Sequence, residues 1–184
     1  MKNRTYKLTT LAVLTALAAV LIAITQFPIF PAAGFLKYDA GDVPLLIGAF
    51  MFGPVSGLVA TVISAALQAF LMGGDGIFGF LMHTIATGTL ILVSSLIYRK
   101  FHTRRGALVG LLCGCAAMTI VAIAFDLIFI PLYMGATIEV VWSLIGYIVG
   151  FNLIKSIANS LIVFLIYKPL HRILEQARAK TQAA

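Results

Sequence analysis

Residues 107–130 read ALVGLLCGCAAMTIVAIAFDLIFI, an apolar run in which Asp126 is the single charged side chain. A transmembrane helix needs about 20 consecutive apolar residues, so this run predicts a helix that crosses a membrane. The composition of the whole chain agrees, since 61% of its 184 residues are hydrophobic and only 10% are charged. A soluble domain carries about 25% charged residues, and we therefore expect lipid to surround most of this fold.

Five further apolar segments lie on either side of that run. Together the six predicted helices cover, approximately, residues 8–24, 43–52, 55–71, 77–98, 107–130 and 147–167. The second segment is shorter than a full membrane crossing needs, and the third ends at Gly73-Gly74-Asp75-Gly76. We predict one all-α domain over residues 1–184, an integral membrane bundle of six transmembrane helices with a short second helix. A loop is predicted over residues 131–146 and a polar tail from Lys168 onward.

The basic residues predict which ends of the helices face the cytoplasm. With six crossings, all but two of the 13 Lys and Arg residues fall on the side that holds both termini. They are Lys2, Arg4, Lys7, Arg99, Lys100, Arg104, Arg105, Lys168, Arg172, Arg178 and Lys180. The opposite side receives Lys37, Asp39, Asp42, Asp75 and Glu139. Cytoplasmic loops of membrane proteins are rich in Lys and Arg, so we place both termini in the cytoplasm.

The sequence lacks the motifs that identify several classes of function. It contains no nucleophile–base set, no Walker loop and no dinucleotide fingerprint, and we therefore expect neither an enzyme nor an ATPase. No cluster of His, Cys, Asp and Glu has metal-ligand spacing, so we expect no metal and no resident cofactor. The net charge of +7 comes from the flanks of apolar runs, which argues against nucleic acid as a partner.

Two charged residues lie inside apolar segments, Asp126 in the fifth and Lys155 in the sixth. A charge at the bilayer centre costs at least ~2.5 kcal/mol, so such residues face the interior of a bundle. A helical rise of about 1.5 Å per residue puts both in the outer half of the membrane. Asn152 and Asn159 lie one turn to either side of Lys155, and this polar stripe facing Asp126 predicts a pocket open to the outside. The alternative is a structural Asp–Lys pair that fixes helix packing.

Three other features also have a structural interpretation. Asp42, which precedes Val43-Pro44, is interpreted as the N-cap of the second helix. His83 in the fourth helix is more typical of a hydrogen-bonded core residue than of a metal ligand. Ala12 and Ala16 form a strip of small residues on the first helix, suited either to packing inside the bundle or to docking of a separate membrane protein.

Four stretches of the chain resemble a known family. They are LKYDAGDVP at 36–44, GAFMFGP at 48–54, IPLY at 130–133 and FNLIK at 151–155. In this order and spacing they are similar to the riboflavin-specific S components of energy-coupling factor (ECF) vitamin transporters, the RibU family. The resemblance spans nearly the whole chain.

The resemblance implies a ligand and partners. Such S components are six-helix proteins of the prokaryotic plasma membrane that bind a vitamin, here riboflavin or FMN, from the outside under the first outer loop. They dock through the first helix onto a transmembrane T component, which two cytoplasmic ATPases drive with ATP. Asn152 and Lys155 match family residues that contact the isoalloxazine ring. The full set of expected ligand-binding residues is Lys37, Tyr38, Asp39, Thr84, Asp126, Asn152 and Lys155, and the expected docking residues are Ala12 and Ala16.

Asp126 departs from the family, which usually has Asn at the matching position. An Asn amide both donates and accepts hydrogen bonds, whereas an ionised Asp only accepts. One interpretation is that Asp126 accepts from the N–H of the flavin ring while Lys155 neutralises it; another is an S component for a different vitamin or precursor. A stand-alone proton-coupled transporter that uses Asp126 is a third, although the chain shows no inverted repeat. A small membrane enzyme ranks last because no catalytic set is visible.

Overall fold

The computed structural model describes residues 2–73 and 76–183. In these residues the chain forms six α-helices: α1 (Lys2–Thr25), α2 (Asp42–Phe52), α3 (Pro54–Leu71), α4 (Gly76–Phe101), α5 (Arg104–Met134) and α6 (Ile138–Ala183). Five of these six are long and apolar enough to cross a membrane, and α2 is shorter. The prediction of an all-α membrane bundle with a short second helix is therefore confirmed. Gly74 and Asp75 of the predicted turn lie outside the described residues.

Helix α2 is the central helix of the bundle. From Asp42 to Phe50 every residue is buried, because α1, α3, α4 and α6 all pack against it. Its 11 residues rise roughly 16 Å, which is about half of the ~30 Å hydrocarbon core of a bilayer. Gly53 ends α2 with a φ of 93°, a value that glycine adopts without steric cost. Pro54 begins α3 directly afterwards, so the two helices share a tight corner.

Glycines allow several helices to approach each other closely. Where α4 crosses α5, a Cβ added to Gly110 would lie 2.7 Å from the backbone oxygen of Ser94. Where α3 meets α2 and α4, a Cβ added to Gly57 would lie 2.8 Å from Ile91 Cγ2 and would also overlap Ala49 Cβ. The spacing of the central helices therefore depends on the absence of side chains at these two positions.

The connection between α1 and α2 has a structure of its own, and we call residues 26–41 the capping loop. Strands β1 (Phe27–Pro28) and β2 (Lys37–Tyr38) pair in antiparallel fashion, with Phe27 opposite Tyr38. A single 3₁₀ turn, Pro31–Ala33, lies between the strands. The sequence predicted a loop here and no strand pairing. The pairing folds the capping loop back on itself, and the segment after β2 then lies against α6.

The structure differs from the prediction between the fifth and sixth helices. The connection predicted over residues 131–146 is only residues 135–137, because α5 continues through Pro131 and α6 already begins at Ile138. Helix α6 also continues past Lys168 through the predicted polar tail. Hydropathy marks where contact with lipid ends, not where a helix ends, and the Ala, Glu, Gln, Lys and Arg residues of the tail are strong helix formers.

Replacing Gly57 with Ala is expected to destabilise the ligand-free protein. The added methyl group overlaps Ala49 Cβ, and overpacking of this kind costs about 1–3 kcal/mol. Gly146→Ala is the matched control, since a Cβ at Gly146 in α6 meets nothing within 4 Å and Ala is favoured over Gly in a helix. Thermal unfolding of the purified proteins in detergent measures both changes. Equal melting temperatures for the two variants would contradict the close packing around α2.

Candidate ligand-binding site

A cavity of about 120 Å³ lies beneath the capping loop. Its walls come from the capping loop, α3, α4, α5 and α6, and none of the described lining residues belongs to α2. The large apolar side chains that line it are Phe35, Leu36, Phe78, Met82, Met118 and Phe151. The polar lining residues most relevant to binding are Asp39, His83, Thr87, Asp126, Asn152 and Lys155. Apolar walls with a few convergent polar groups are typical of a small-molecule site.

Lys155 is the buried cation of this cavity. Its side chain is 7% exposed, and its Nζ donates to Asp39 Oδ2 at 2.8 Å. A second carboxylate oxygen, Asp42 Oδ2, lies 4.0 Å from the same nitrogen. A buried charge is costly unless it is paired and hydrogen-bonded. Lys155 therefore requires the capping loop to lie folded against α6.

Asn159, one turn further along α6, connects the same elements through its amide. Its Nδ2 donates to the backbone oxygen of Asp39 at 3.0 Å and to Asp42 Oδ2 at 3.1 Å. Its Oδ1 accepts a hydrogen bond from the Tyr38 hydroxyl at 3.0 Å. Asn159 is fully buried and is not among the described residues that line the cavity. Of the predicted polar stripe, Asn152 and Lys155 thus face the cavity. Asn159 instead forms hydrogen bonds that hold the capping loop and the start of α2 together.

The interpretation of Asp42 as an N-cap is wrong. Gly41 occupies the N-cap position, and α2 has no side-chain cap hydrogen bond. The Asp42 carboxylate is fully buried and accepts instead from two other helices, from Thr87 Oγ1 of α4 at 3.0 Å and from Asn159 of α6 at 3.1 Å. A buried carboxylate requires strong donors, and these are available across the bundle. Its position in the first turn of α2 is also favourable for a negative charge.

The protonation states of the capping loop follow from its contacts. Burial by itself would raise the pKa of the Asp39 carboxyl, but the Lys155 ammonium group outweighs it and holds that pKa below its usual value. The backbone N–H of Gly41 also donates to Asp39 Oδ1, at 3.0 Å. Burial, followed by the nearby carboxylates of Asp39 and Asp42, raises the pKa of the Tyr38 phenol. Asp39 is therefore an anion and Tyr38 a hydrogen-bond donor at neutral pH.

Asp126 and Asn152 lie in the same cavity as Lys155, as the residue depths predict, but Lys155 pairs with the capping loop and not with Asp126. Asp126 is 3% exposed. In the part of the chain that the structure describes, its carboxylate has no hydrogen bond and no ion pair. Asn152 Nδ2 donates to the Ile148 backbone oxygen at 2.9 Å, which leaves its Oδ1 available. These two side chains therefore have capacity to bind something in the cavity.

The remaining expected ligand contacts differ in position. Lys37 lines the cavity from β2. Gln26, just before β1, and Gln68 of α3 line it too, although the sequence indicated no role for either glutamine. Thr84 Oγ1 is shielded from solvent without a hydrogen-bond partner among the described residues. Thr84 is not one of the described lining residues, and its contact with a ligand stays a prediction. Its neighbour His83 does line the cavity, although the sequence indicated only a core residue.

A separate apolar groove of about 560 Å³ runs between α1 and α3. Ala12 and Ala16 line it from α1, and both lie on the exposed surface of that helix. The opposite wall is formed by α3, mainly by Val55, Val59 and Ile63. The small residues therefore do not pack inside the bundle but form the floor of a surface groove.

Residues 6–167 match the family model of the ECF transporter substrate-specific component. The chain is 30% identical over 185 residues to the riboflavin transporter FmnP of Bacillus subtilis (strain 168), covering 94% of this chain and 96% of that protein. It is also 30% identical over 179 residues to the riboflavin transporter RibU of Staphylococcus aureus (strain TCH60), covering 92% and 93%. A solved structure of the S component of a bacterial ECF transporter matches with a TM-score of 0.80 at 30% identity, covering 93% of this chain and 98% of that one.

Removing either charge of the Lys155–Asp39 pair should strongly destabilise the ligand-free protein, whereas removing the second charge as well should add less than it costs alone. Lys155→Met leaves Asp39 without its cation, and breaking a buried pair from one side costs about 3–5 kcal/mol. In the double variant with Asp39→Asn neither charge of the pair remains, so the total effect should be smaller than the sum of the two single effects. Unfolding of the four proteins in detergent completes this cycle. Strictly additive effects would show that the pair contributes nothing to stability.

Proposed function

This chain belongs to the substrate-specific components of ECF transporters, and on that premise we propose that it binds riboflavin in the cavity beneath the capping loop. It is a multi-pass membrane protein and a component of a transporter, not an enzyme. In the proposed role it takes up the vitamin from outside the cell and delivers it to an ATP-driven membrane module. Riboflavin is the transported ligand and not a cofactor.

The convergence of Asp126, Asn152 and Lys155 on one cavity is the observation that supports this ligand best. The pyrimidine edge of riboflavin offers an acceptor, a donor and an acceptor in sequence. A Lys ammonium group only donates, a carboxylate only accepts, and an Asn amide does both. Lys155 therefore suits a ring carbonyl, Asp126 suits the ring N–H between the two carbonyls, and Asn152 suits either neighbouring position.

The apolar walls suit the rest of the flavin ring. Phe35 of the capping loop, Phe78 of α4 and Phe151 of α6 line the cavity from three different elements. Aromatic side chains contact a flat ring favourably through offset stacking or edge-to-face packing. A ligand with broad apolar faces and one polar edge therefore matches the distribution of side chains in the cavity.

Entry of a vitamin requires the capping loop to move. The cavity volume is about 120 Å³, whereas ligand sites commonly measure roughly 300–1,000 Å³. The loop is held by the bonds from Lys155 to Asp39 and from Tyr38 to Asn159. An ammonium group has three N–H donors, so a ligand can accept a hydrogen bond from Lys155 while Asp39 keeps its own. Ligand binding and loop position are linked because both use this one side chain.

The cavity faces the outside of a prokaryotic plasma membrane in this proposal. Helix α4 contributes Phe78 to the cavity near its start and ends at the basic residues Arg99 and Lys100, and α5 begins there with Arg104 and Arg105. Basic residues favour the cytoplasmic side. The loop-covered end of the bundle is then outside, and both termini are in the cytoplasm.

The groove between α1 and α3 is the proposed docking surface for the transmembrane T component, which joins the chain to two cytoplasmic ATPases. A strip of small residues permits close approach of a second helix in lipid, where van der Waals packing drives association. Ala12 and Ala16 lie at the floor of this groove and are exposed. The partner ATPases consume the ATP, since this chain has no nucleotide-binding motif.

Purified protein is expected to carry a flavin, visible as absorbance bands in the near ultraviolet and the blue. Asn152→Ala and Lys155→Ala each remove a polar contact with the ring and should weaken riboflavin binding about 10- to 100-fold. Ser143→Ala is the control, because Ser143 lies on the same helix but is exposed and outside the cavity. Quenching of riboflavin fluorescence by the folded, monodisperse fraction of each protein gives the affinities. Wild-type protein that is colourless and does not quench riboflavin fluorescence would point to a different vitamin.

Ala16→Trp is expected to abolish uptake while leaving riboflavin binding by the isolated chain intact. The indole would fill the groove that the partner helix requires, whereas no described residue lines both the groove and the cavity. Ile120→Trp is the control, since Ile120 is 67% exposed on α5 and lies outside the groove. Uptake of labelled riboflavin by proteoliposomes that hold the complete transporter measures the effect. Normal uptake by Ala16→Trp would exclude this groove as the docking surface.

A further inference from the structure

We propose that His83 is a further ligand-contacting residue, whose imidazole forms a hydrogen bond with the ring system of the bound vitamin next to Lys155. This inference rests on the proposed function, because it takes the ligand in the cavity to be a flavin. It assigns a binding role to a residue that the sequence indicated to be part of the core.

His83 is buried without a hydrogen bond. The residue is 9% exposed, and its Nε2 has no hydrogen-bond partner among the described residues. The carboxylate oxygen Asp42 Oδ1 lies 3.9 Å from this nitrogen, which is beyond hydrogen-bond distance. That carboxylate already accepts from Thr87 and Asn159 and is held in place by them. Buried polar groups in folded proteins are nearly always hydrogen-bonded, so a partnerless imidazole requires an explanation.

The cavity supplies that explanation for His83 alone. Among the described residues, four buried side chains have a polar atom without a partner: Ser64, His83, Thr84 and Ser94. Of these four, His83 is the one that lines the cavity. A ligand in the cavity can therefore contact the imidazole and supply a hydrogen bond that the described residues do not.

The shared carboxylate places His83 beside Lys155. His83 Nε2 lies 3.9 Å from Asp42 Oδ1, and Lys155 Nζ lies 4.0 Å from Asp42 Oδ2. The two side chains therefore reach the same end of the cavity from α4 and from α6. A rigid, flat ring that contacts Lys155 can therefore also reach His83. An imidazole can donate to a ring carbonyl or accept from a ring N–H, so it adds selectivity for a ring with polar atoms on more than one edge.

A comparison of riboflavin with lumiflavin distinguishes a contact of His83 with the flavin ring from a contact with the ribityl chain. Lumiflavin has the same ring system as riboflavin but carries a methyl group in place of the ribityl chain. His83→Leu removes both imidazole nitrogens and should weaken binding of riboflavin and of lumiflavin alike, by about tenfold. His83→Gln places an amide near the position of Nε2 and should recover most of the affinity for both. Ser94→Ala removes a partnerless buried hydroxyl outside the cavity and should leave both affinities within about twofold.

Fluorescence quenching of the two flavins by the full-length proteins in detergent measures these affinities. Unchanged binding of both flavins by His83→Leu would overturn the proposal, and so would a loss confined to riboflavin, which would put His83 on the ribityl chain. If His83→Leu does not fold, the ¹⁵N signals of the His83 ring in wild-type protein decide. They should shift when lumiflavin is added, while those of the exposed His102 should not, and an unshifted His83 would overturn the proposal. Wild-type protein that binds neither flavin would refute the proposed function itself, whereas wild-type binding with an unaffected His83 variant refutes only the role of His83.

Discussion

Lys155 lies within an apolar helix, where an unpaired ammonium group would cost several kcal/mol, and its partner Asp39 comes from a loop 116 positions earlier in the chain. The pair can form only when the capping loop lies against α6. Its formation also brings the backbone of Asp39 within reach of Asn159, and Asn159 in turn holds the Asp42 carboxylate at the start of α2. The position of the loop, the start of α2 and the wall of the cavity are therefore linked through one set of buried polar contacts.

The polar groups around the cavity divide into two sets with different consequences. Asp42 and Asn159 have their hydrogen bonds completed by the protein itself, and such networks stabilise one arrangement of the surrounding helices. Asp126 and His83 line the cavity with unused hydrogen-bonding capacity in the described chain, at a cost to the stability of the ligand-free fold. A ligand with matching polar atoms recovers that cost on binding. Lys155 belongs to both sets, because it holds the loop and also faces the cavity.

The sequence was sufficient for the number and order of the helices and for part of the site, but not for where α5 ends or for either end of α6. The apolar runs predicted six helices, and the depths of Asp126 and Lys155 along their helices predicted a common cavity. The pairing of Lys155 with Asp39 could not be predicted, because it depends on how a loop of 16 residues (26–41) folds back, and helix periodicity carries no information about that. Asp42 was misread for the same reason, since a local capping rule does not include donors on distant helices. The role proposed for His83 depends on which buried groups lack partners, and only the packed structure shows that.

The short second helix explains why the bundle contains a cavity at that end. Helix α2 ends and α3 begins at the corner Gly53-Pro54, but α2 has 11 residues and α3 has 18. Since each residue adds ~1.5 Å, the start of α2 at Asp42 lies roughly 10 Å short of the far end of α3. The capping loop and the cavity lie beyond the start of α2, and no described lining residue comes from α2. A full-length second helix would fill this space with side chains. The polar start of α2 is therefore buried near the middle of the membrane. The Asp42 carboxylate is compatible with that apolar environment because Thr87 of α4 and Asn159 of α6 donate hydrogen bonds to it.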